Sequence, residues 1–228
     1  MPKKLDLHDI LKVSYETNKQ AKRDMKKMGY YLDKKLSSGH EKVFYSPYEQ
    51  KLLMTVAGSR GKKDWIVNNP LLAGGKLHHT DRYKEAHDRL IAAKKKYGDK
   101  ISYTIAGHSL GGGIASSLGN SNDKIYTYNK GAPVFSKHRD NETSIRTRGD
   151  VVSMFASDPL HNTTLDNFKD PVQNELGFTG NILHHGLEGF HGLLNGSIKT
   201  VYNAGHTLIK DIYGAHDVDN LKNEPIFL

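Results

Sequence analysis

The first chemical feature of this sequence is a serine with glycines on both sides. Residues 107–112 read GHSLGG, which places Ser109 in the pattern Gly-X-Ser-X-Gly. A β-branched and apolar stretch, residues 101–106, precedes it, and a helix-compatible stretch of small residues, 113–118, follows. A serine in a sharp turn between a strand and a helix forms a nucleophile elbow, which strains its backbone and exposes its hydroxyl above the sheet. The pattern therefore predicts that Ser109 is a nucleophile.

The residues around Ser109 fit this chemistry. A Cβ at Gly107 or Gly111 would collide where the strand and the helix cross, so glycine is required at both positions. We expect the amide of Leu110 to lie in the first turn of the helix, where a backbone N–H can stabilise an oxyanion. His108 should point away from the nucleophile and is a poor candidate for its base.

A serine nucleophile also requires a base, an orienting acid and a second oxyanion donor. In folds that carry a nucleophile elbow, these partners follow the serine along the chain in the order Asp, then His. Asp150 is favoured as the acid because it lies just beyond a predicted strand, 145–148, where the active-site loops of an open α/β sheet gather; Asp158 is the alternative. The second oxyanion donor belongs in the loop after the strand that ends at Ala57, and the amide of Ser59 fits best.

The residues leave the choice of base open. His216 follows a predicted helix end near the C-terminus, from which a loop can return to Ser109. His206 lies within an apolar helical pattern, which is typical of a structural histidine. The clustered His184, His185 and His191 lack cysteines or acidic residues in ligand register, so no metal site is expected. Six histidines follow Asp150 in all: His161, His184, His185, His191, His206 and His216.

Strands and helices are predicted to alternate along the chain. This alternation favours an α/β fold, with a mostly parallel central sheet and helices on both of its faces. The segment 158–180 is predicted to be a polar loop, and 182–213 has a helical pattern. The predicted strands are 43–46, 52–57, 101–106, 125–129 and 145–148, and the central predicted helix is 80–97, with Gly98 as its C-cap.

The N-terminal part of the chain is basic and amphipathic. Apolar residues recur at helical spacing over 5–36, and the opposite face is rich in lysine. We predict one or two helices within 1–38, broken near Gly29 and packed on the rest of the protein. Without a linker or a repeat, the whole chain, 1–228, is expected to form a single domain.

Composition narrows the classes of function. The chain has no cysteine, which excludes disulfides and Cys-based zinc sites. It begins without an apolar signal-like segment and has no membrane-length apolar run, so a cytoplasmic or intracellular location is expected. The net charge of +8 favours an anionic partner, such as an anionic membrane or lipid surface. The sequence carries no recognised nucleic-acid-binding motif, and no nucleic-acid partner is expected.

Several of these segments together resemble the class 3 lipase family, which includes fungal triacylglycerol lipases and plant phospholipase A1 enzymes. The similar segments are GHSLGG at 107–112, GSRGKKDW at 58–65, YTYNKGAP at 126–133, GDVV at 149–152 and HDVD at 216–219. The segment HGLE at 185–188 matches the family's histidine segment about as well as 216–219 does. Proximity to the C-terminus favours His216.

The resemblance implies an α/β-hydrolase fold and a serine lipase or esterase that needs no cofactor. It implies a catalytic triad of Ser109, Asp150 and His216, an oxyanion role for Ser59, and a short lid beginning at Trp65. The expected substrate is a lipid ester, a phospholipid or an acylglycerol, bound transiently at a lipid surface.

The sequence departs from the family where residues 56–57 read VA instead of the usual Phe-Arg. Lipase-like proteins of this small size also occur in viruses. The alternative hypothesis is an inactive lipase fold that serves as a lipid-binding or interaction module. The sequence does not predict an oligomeric state.

Overall fold

The computed structural model describes residues 4–60, 64, 72, 74–131, 139–147, 162–165, 217–223 and 226–228. Its centre is a seven-stranded sheet in which the strands lie side by side in chain order. The first strand pairs antiparallel with the second, and the second pairs antiparallel with the third. From the third strand to the seventh, all neighbouring strands are parallel. The strands are β1 (Tyr31–Leu32), β2 (Glu41–Ser46), β3 (Lys51–Val56), β4 (Ser102–His108), β5 (Lys124–Tyr128), β6 (Glu142–Thr147) and β7 (Asn162–Leu165).

Four α-helices are described, and polar side chains cap the start of three of them. Asp6, Thr17 and Thr80 each accept a hydrogen bond from a backbone N–H in the first turn of the helix that follows. In the described ranges, no helix has both the length and the apolar character needed to cross a membrane. The helices are α1 (Leu7–Tyr15), α2 (Asn18–Lys26), α3 (Asp81–Tyr97) and α4 (Leu110–Leu118), with 3₁₀ helices at Leu77–His79 and Val218–Asn223.

The sheet separates two apolar cores. Because successive side chains of a strand point to opposite faces, Leu53 and Met54 of β3 enter different cores. One core packs α1 and α2 against the sheet, and the other packs α3 and α4 against the opposite face. Helices therefore cover both faces of a mostly parallel sheet, which confirms the predicted α/β-hydrolase fold class.

Three predicted elements differ from the observed ones. The N-terminal helices break at Thr17, whose hydroxyl caps α2, and not near Gly29. Gly29, with φ of 82°, lies beyond the end of α2, and the chain then enters β1, so the helical pattern does not continue to residue 36. The predicted loop 158–180 contains β7, which pairs with β6. The predicted helix 182–213 lies outside the described residues.

Candidate active site

Ser109 occupies a strained turn between β4 and α4. Its φ and ψ are 58° and −127°. A residue other than glycine occupies this region only at a cost of about 1–3 kcal/mol. Backbone hydrogen bonds hold it there: its N–H donates to Tyr128 O (3.1 Å), and its carbonyl accepts from the N–H groups of Gly113 (3.1 Å) and Gly131 (3.0 Å). The hydroxyl does not cap α4. This backbone conformation is the one that the elbow pattern predicts.

The glycines on either side permit the close crossing of strand and helix. A Cβ at Gly107 would overlap the backbone of Gly111. A Cβ at Gly111 would overlap the carbonyl oxygens of Val56 and Ala57, the latter at 2.6 Å. Because these are backbone atoms, they cannot move aside as a flexible side chain would. Both glycines are therefore required for the reason that the sequence predicts.

Leu110 is the first residue of α4, as predicted. The first N–H groups of a helix have no partner within the helix and lie at its positive end. The amide of Leu110 belongs to this group, and its side chain is buried in the core beneath. The residue can thus supply a backbone donor next to Ser109 while its side chain fixes the start of the helix.

Ser59 lies in the loop that follows β3, the parallel neighbour of β4. The register pairs Val56 with Gly107, so the loop leaves the sheet beside the elbow. A Cβ built on Gly58 would lie 2.9 Å from Ser109 Cβ, which shows how closely the two segments approach. The loop that carries Ser59 therefore passes beside the predicted nucleophile.

A buried cation holds this loop in place. Arg82, from the first turn of α3, donates to Ala57 O (2.6 Å) and to Asp64 Oδ2 (2.8 Å). The same Asp64 oxygen accepts from the backbone N–H of Arg60 at 2.8 Å. Arg82 and Asp64 are both buried, so water competes little with these contacts. The segment 57–60, which carries Ser59, is fixed at both of its ends.

His108 is held between two tyrosines. Its Nδ1 lies 2.6 Å from the hydroxyl of Tyr15, and its ring stacks on Tyr128 with centroids 5.6 Å apart. Burial raises the pKa of Tyr15 to about 12, so this hydroxyl remains protonated at neutral pH. The Nδ1 atom of His108 is therefore engaged by Tyr15, at the end of α1.

The predicted acid and base, Asp150 and His216, lie outside the described residues, as do the alternatives Asp158 and His185 and the predicted lid residue, Trp65. Residues near two of them in the chain contact Tyr128. β6 ends at Thr147, whose Oγ1 is 2.5 Å from Tyr128 Oη. Tyr128 Oη also donates to the carbonyl of Asp217 (3.3 Å), the residue directly after His216.

Sequence reasoning did not assign roles to Tyr15, Asp64 or Arg82. Their side chains meet the site only through tertiary packing, and no local pattern marks them. Among the described residues, no cluster of three or more histidine or acidic side chains has the arrangement of a metal site.

Comparisons with known proteins give matches among solved structures alone. No family model matches the chain, and a search of curated proteins finds no match. Lip2 lipase from Yarrowia lipolytica is 14% identical, with a TM-score of 0.46, over 70% of this chain and 76% of its own. Rhizomucor miehei triacylglyceride lipase is 16% identical, with a TM-score of 0.47, over 71% and 78%. MDLA from Penicillium cyclopium is 15% identical, with a TM-score of 0.36, over 65% and 70%.

Proposed function

We propose that this protein is a serine hydrolase that cleaves carboxylic ester bonds of lipids, as a member of the class 3 lipase family. The observation that carries the proposal is the strained backbone of Ser109 at the junction of β4 and α4. The fold maintains this conformation with backbone hydrogen bonds and two obligatory glycines. Strain of this kind persists where function requires it, and here it presents a serine beside two candidate oxyanion donors.

The proposed reaction follows from these positions. Ser109 Oγ attacks the ester carbonyl carbon while His216 accepts the hydroxyl proton, and the carbonyl oxygen becomes an oxyanion. The amides of Leu110 and Ser59 bind the oxyanion. Collapse of the tetrahedral intermediate breaks the bond to the alcohol, which leaves with the proton from His216. Water, activated by the same imidazole, then hydrolyses the acyl-enzyme and restores Ser109.

The contact of Asp217 supports His216 over His185 as the base. The carbonyl of Asp217 accepts from Tyr128 Oη, and the ring of Tyr128 stacks on His108, the residue before Ser109. Because His216 directly precedes Asp217 in the chain, this contact supports its assignment as the base.

Asp150 is supported as the acid by the end of β6. Thr147 closes this strand, and its N–H donates to the side chain of Asn129 (2.8 Å), just beyond β5. The carboxyl ends of parallel strands gather at one edge of the sheet, and Asp150 follows Thr147 by three residues. In the triad, Asp150 orients the imidazole of His216 and stabilises its charged form.

An anionic lipid surface is the partner that the charge distribution favours. Helix α2 begins three residues after Tyr15, close to the site, and exposes Lys19, Lys22, Arg23 and Lys26. Its partly buried Asp24 pairs with Arg23 and Lys27 and offsets one of these charges. The substrate class that we propose is therefore a phospholipid or acylglycerol at an anionic interface.

Labelling with a fluorophosphonate tests the nucleophile and the base. The serine oxygen attacks phosphorus and expels fluoride, so labelling reports an activated serine without requiring the natural substrate. We expect labelling of the wild type and none of Ser109→Ala. We expect His216→Ala to lower the labelling rate by at least about 100-fold, because the base deprotonates the nucleophile, and His185→Ala to retain the wild-type rate.

Each contrary result is informative. Labelling that survives in Ser109→Ala would refute the nucleophile. A folded wild type that neither reacts with the probe nor hydrolyses esters would favour the alternative function, an inactive lipase fold that binds lipid. A loss in His185→Ala with none in His216→Ala would reassign the base.

A further inference from the structure

The hydroxyl of Tyr15 connects the two segments that form the proposed oxyanion hole. Gly58 N–H donates to Tyr15 Oη (2.8 Å), and Tyr15 Oη lies 2.6 Å from His108 Nδ1. Gly58 directly precedes Ser59, and His108 directly precedes Ser109. One side chain from the end of α1 therefore contacts the neighbour of an oxyanion donor and the neighbour of the nucleophile.

The hydroxyl of Tyr15 takes part in both hydrogen bonds. Its oxygen accepts from the Gly58 amide and is paired with His108 Nδ1, where the tautomer of the ring decides which atom donates. Burial raises the pKa of Tyr15 to about 12, so the phenol keeps its hydrogen at neutral pH.

The two hydrogen bonds of Tyr15 form a bridge between the loop and the elbow. The Gly58 N–H is bonded to Tyr15, and Ser59 follows Gly58 directly in the chain. A second contact strengthens the link, because Arg60 Nη2 donates to the backbone carbonyl of Tyr15 at 3.1 Å. A Cβ on Gly58 would lie 2.5 Å from Tyr15 Oη, so the loop packs directly on the hydroxyl.

We propose that Tyr15 is a positioning residue, which sets the distance between the loop that carries Ser59 and the elbow that carries Ser109. The inference deepens the proposed hydrolase function and rests on it. Oxyanion donors act only within about 2.7–3.1 Å of the developing charge, so a shift of a few tenths of an ångström in the loop weakens catalysis. Tyr15 touches neither the substrate nor the reacting atoms in this role.

The test compares Tyr15→Phe with Tyr30→Phe. Tyr30 is a buried tyrosine in the core beneath α1 and α2, and its hydroxyl donates to Glu49 (2.8 Å), so its substitution makes the same chemical change away from the site. We expect Tyr15→Phe to lower the rate of fluorophosphonate labelling by about 10-fold or more, less than the loss of a whole oxyanion donor. With a soluble ester, kcat falls and KM changes by less than about twofold, because the bridge acts in the transition state. Tyr30→Phe keeps the wild-type rate.

A second pair of variants changes His108, the other partner of the Tyr15 hydroxyl. Asparagine at position 108 places Oδ1 near the site of Nδ1 and preserves an acceptor for Tyr15, whereas leucine removes it. We expect His108→Asn to lose less activity than His108→Leu. Nitrogen NMR of the His108 ring provides a readout that needs no activity: the Nδ1 chemical shift reports the hydrogen bond to Tyr15 in the wild type and moves in Tyr15→Phe.

The outcomes separate the two proposals. If the wild type is labelled and Tyr15→Phe is labelled at the same rate, the role of Tyr15 is overturned and the hydrolase function stands. Equal losses in Tyr15→Phe and Tyr30→Phe overturn it as well, because general destabilisation then explains both. A folded wild type without labelling or esterase activity overturns the hydrolase function and, with it, this role.

Discussion

Among single residues, the buried guanidinium of Arg82 controls the shape of the proposed oxyanion hole. Its contacts to Ala57 O and Asp64 join α3 to the loop after β3. Breaking a buried ion pair by removing one partner costs about 3–5 kcal/mol, because the remaining charge is left uncompensated. The loop that carries Ser59 thus depends on a residue that makes no contact with substrate.

Arg82→Met tests this dependence. We expect a fall of about 3–5 kcal/mol in the free energy of unfolding, because the buried Asp64 loses its ion pair with Arg82, together with slower fluorophosphonate labelling. Chemical denaturation and labelling rates measure the two effects. Arg89→Met is the matched control: Arg89 lies about two turns further along the same helix, pairs with Glu41 at 3.3 Å, and is partly exposed. If both variants label at the same rate, Arg82 does not position the loop.

Among the elements, helix α1 and the residue before its N-cap also bind the C-terminal residues of the chain, 226–228. Leu7 N–H donates to Ile226 O (2.9 Å), and Leu228 N–H donates to Leu5 O (3.2 Å). Leu221 is buried in the same core as α1. The N-terminal helix thus anchors residues that follow the proposed base, His216, in the chain.

The contact between His8 and Asp219 makes part of this anchoring depend on pH. His8 Nε2 donates to Asp219 Oδ1 at 3.0 Å, and this hydrogen bond lowers the pKa of the Asp219 carboxyl. Lys12 and Lys222 lower it further. A carboxylate whose pKa is lower in the folded state stabilises the fold above its unfolded pKa of about 3.9, and the contribution disappears as the pH falls through the folded value.

We therefore expect wild type to be more stable than Asp219→Asn above pH about 4, with the difference vanishing at lower pH. Because Asp219 is largely exposed, the difference is small, and paired denaturation curves across pH 2–7 measure it. Asp217→Asn is the control, since its carboxylate accepts from the Asp219 N–H and has no such contact with His8. A difference that stays constant between pH 3 and pH 6 would contradict the ionic contribution.

The sequence predicts the elements whose determinants are local. The strand, serine turn and helix around Ser109 follow from a few adjacent residues, and Thr80 and Gly98 mark the ends of α3. The sequence does not predict β1 and β7, because strands of two and four residues have too few positions to show an alternating pattern. They form by pairing with β2 and with β6, respectively. Tyr15 escapes it for a related reason: its partner His108 is 93 residues away along the chain.

For the whole molecule, the distribution of charge around the sheet decides how the protein meets a lipid surface. The net charge is +8, and α2, which begins close to the carboxyl ends of the parallel strands, exposes Lys19, Lys22 and Lys26. Lys95, Lys100 and Lys124 are also exposed and lie towards the opposite edge, where α3 ends and where β4 and β5 begin. The three lysines of α2 and these three thus allow two triple variants of equal net charge.

We predict that wild type binds vesicles of phosphatidylglycerol more strongly than vesicles of phosphatidylcholine. A lysine near an anionic bilayer contributes about 1 kcal/mol, so Gln at positions 19, 22 and 26 weakens binding by about 100-fold, whereas Gln at positions 95, 100 and 124 has a much smaller effect. Co-sedimentation at two salt concentrations measures both, and added salt reduces the difference because it screens exposed charges. Equal binding to both vesicle types would refute the anionic interface, and equal losses in the two triple variants would refute the orientation that brings Ser109 to it.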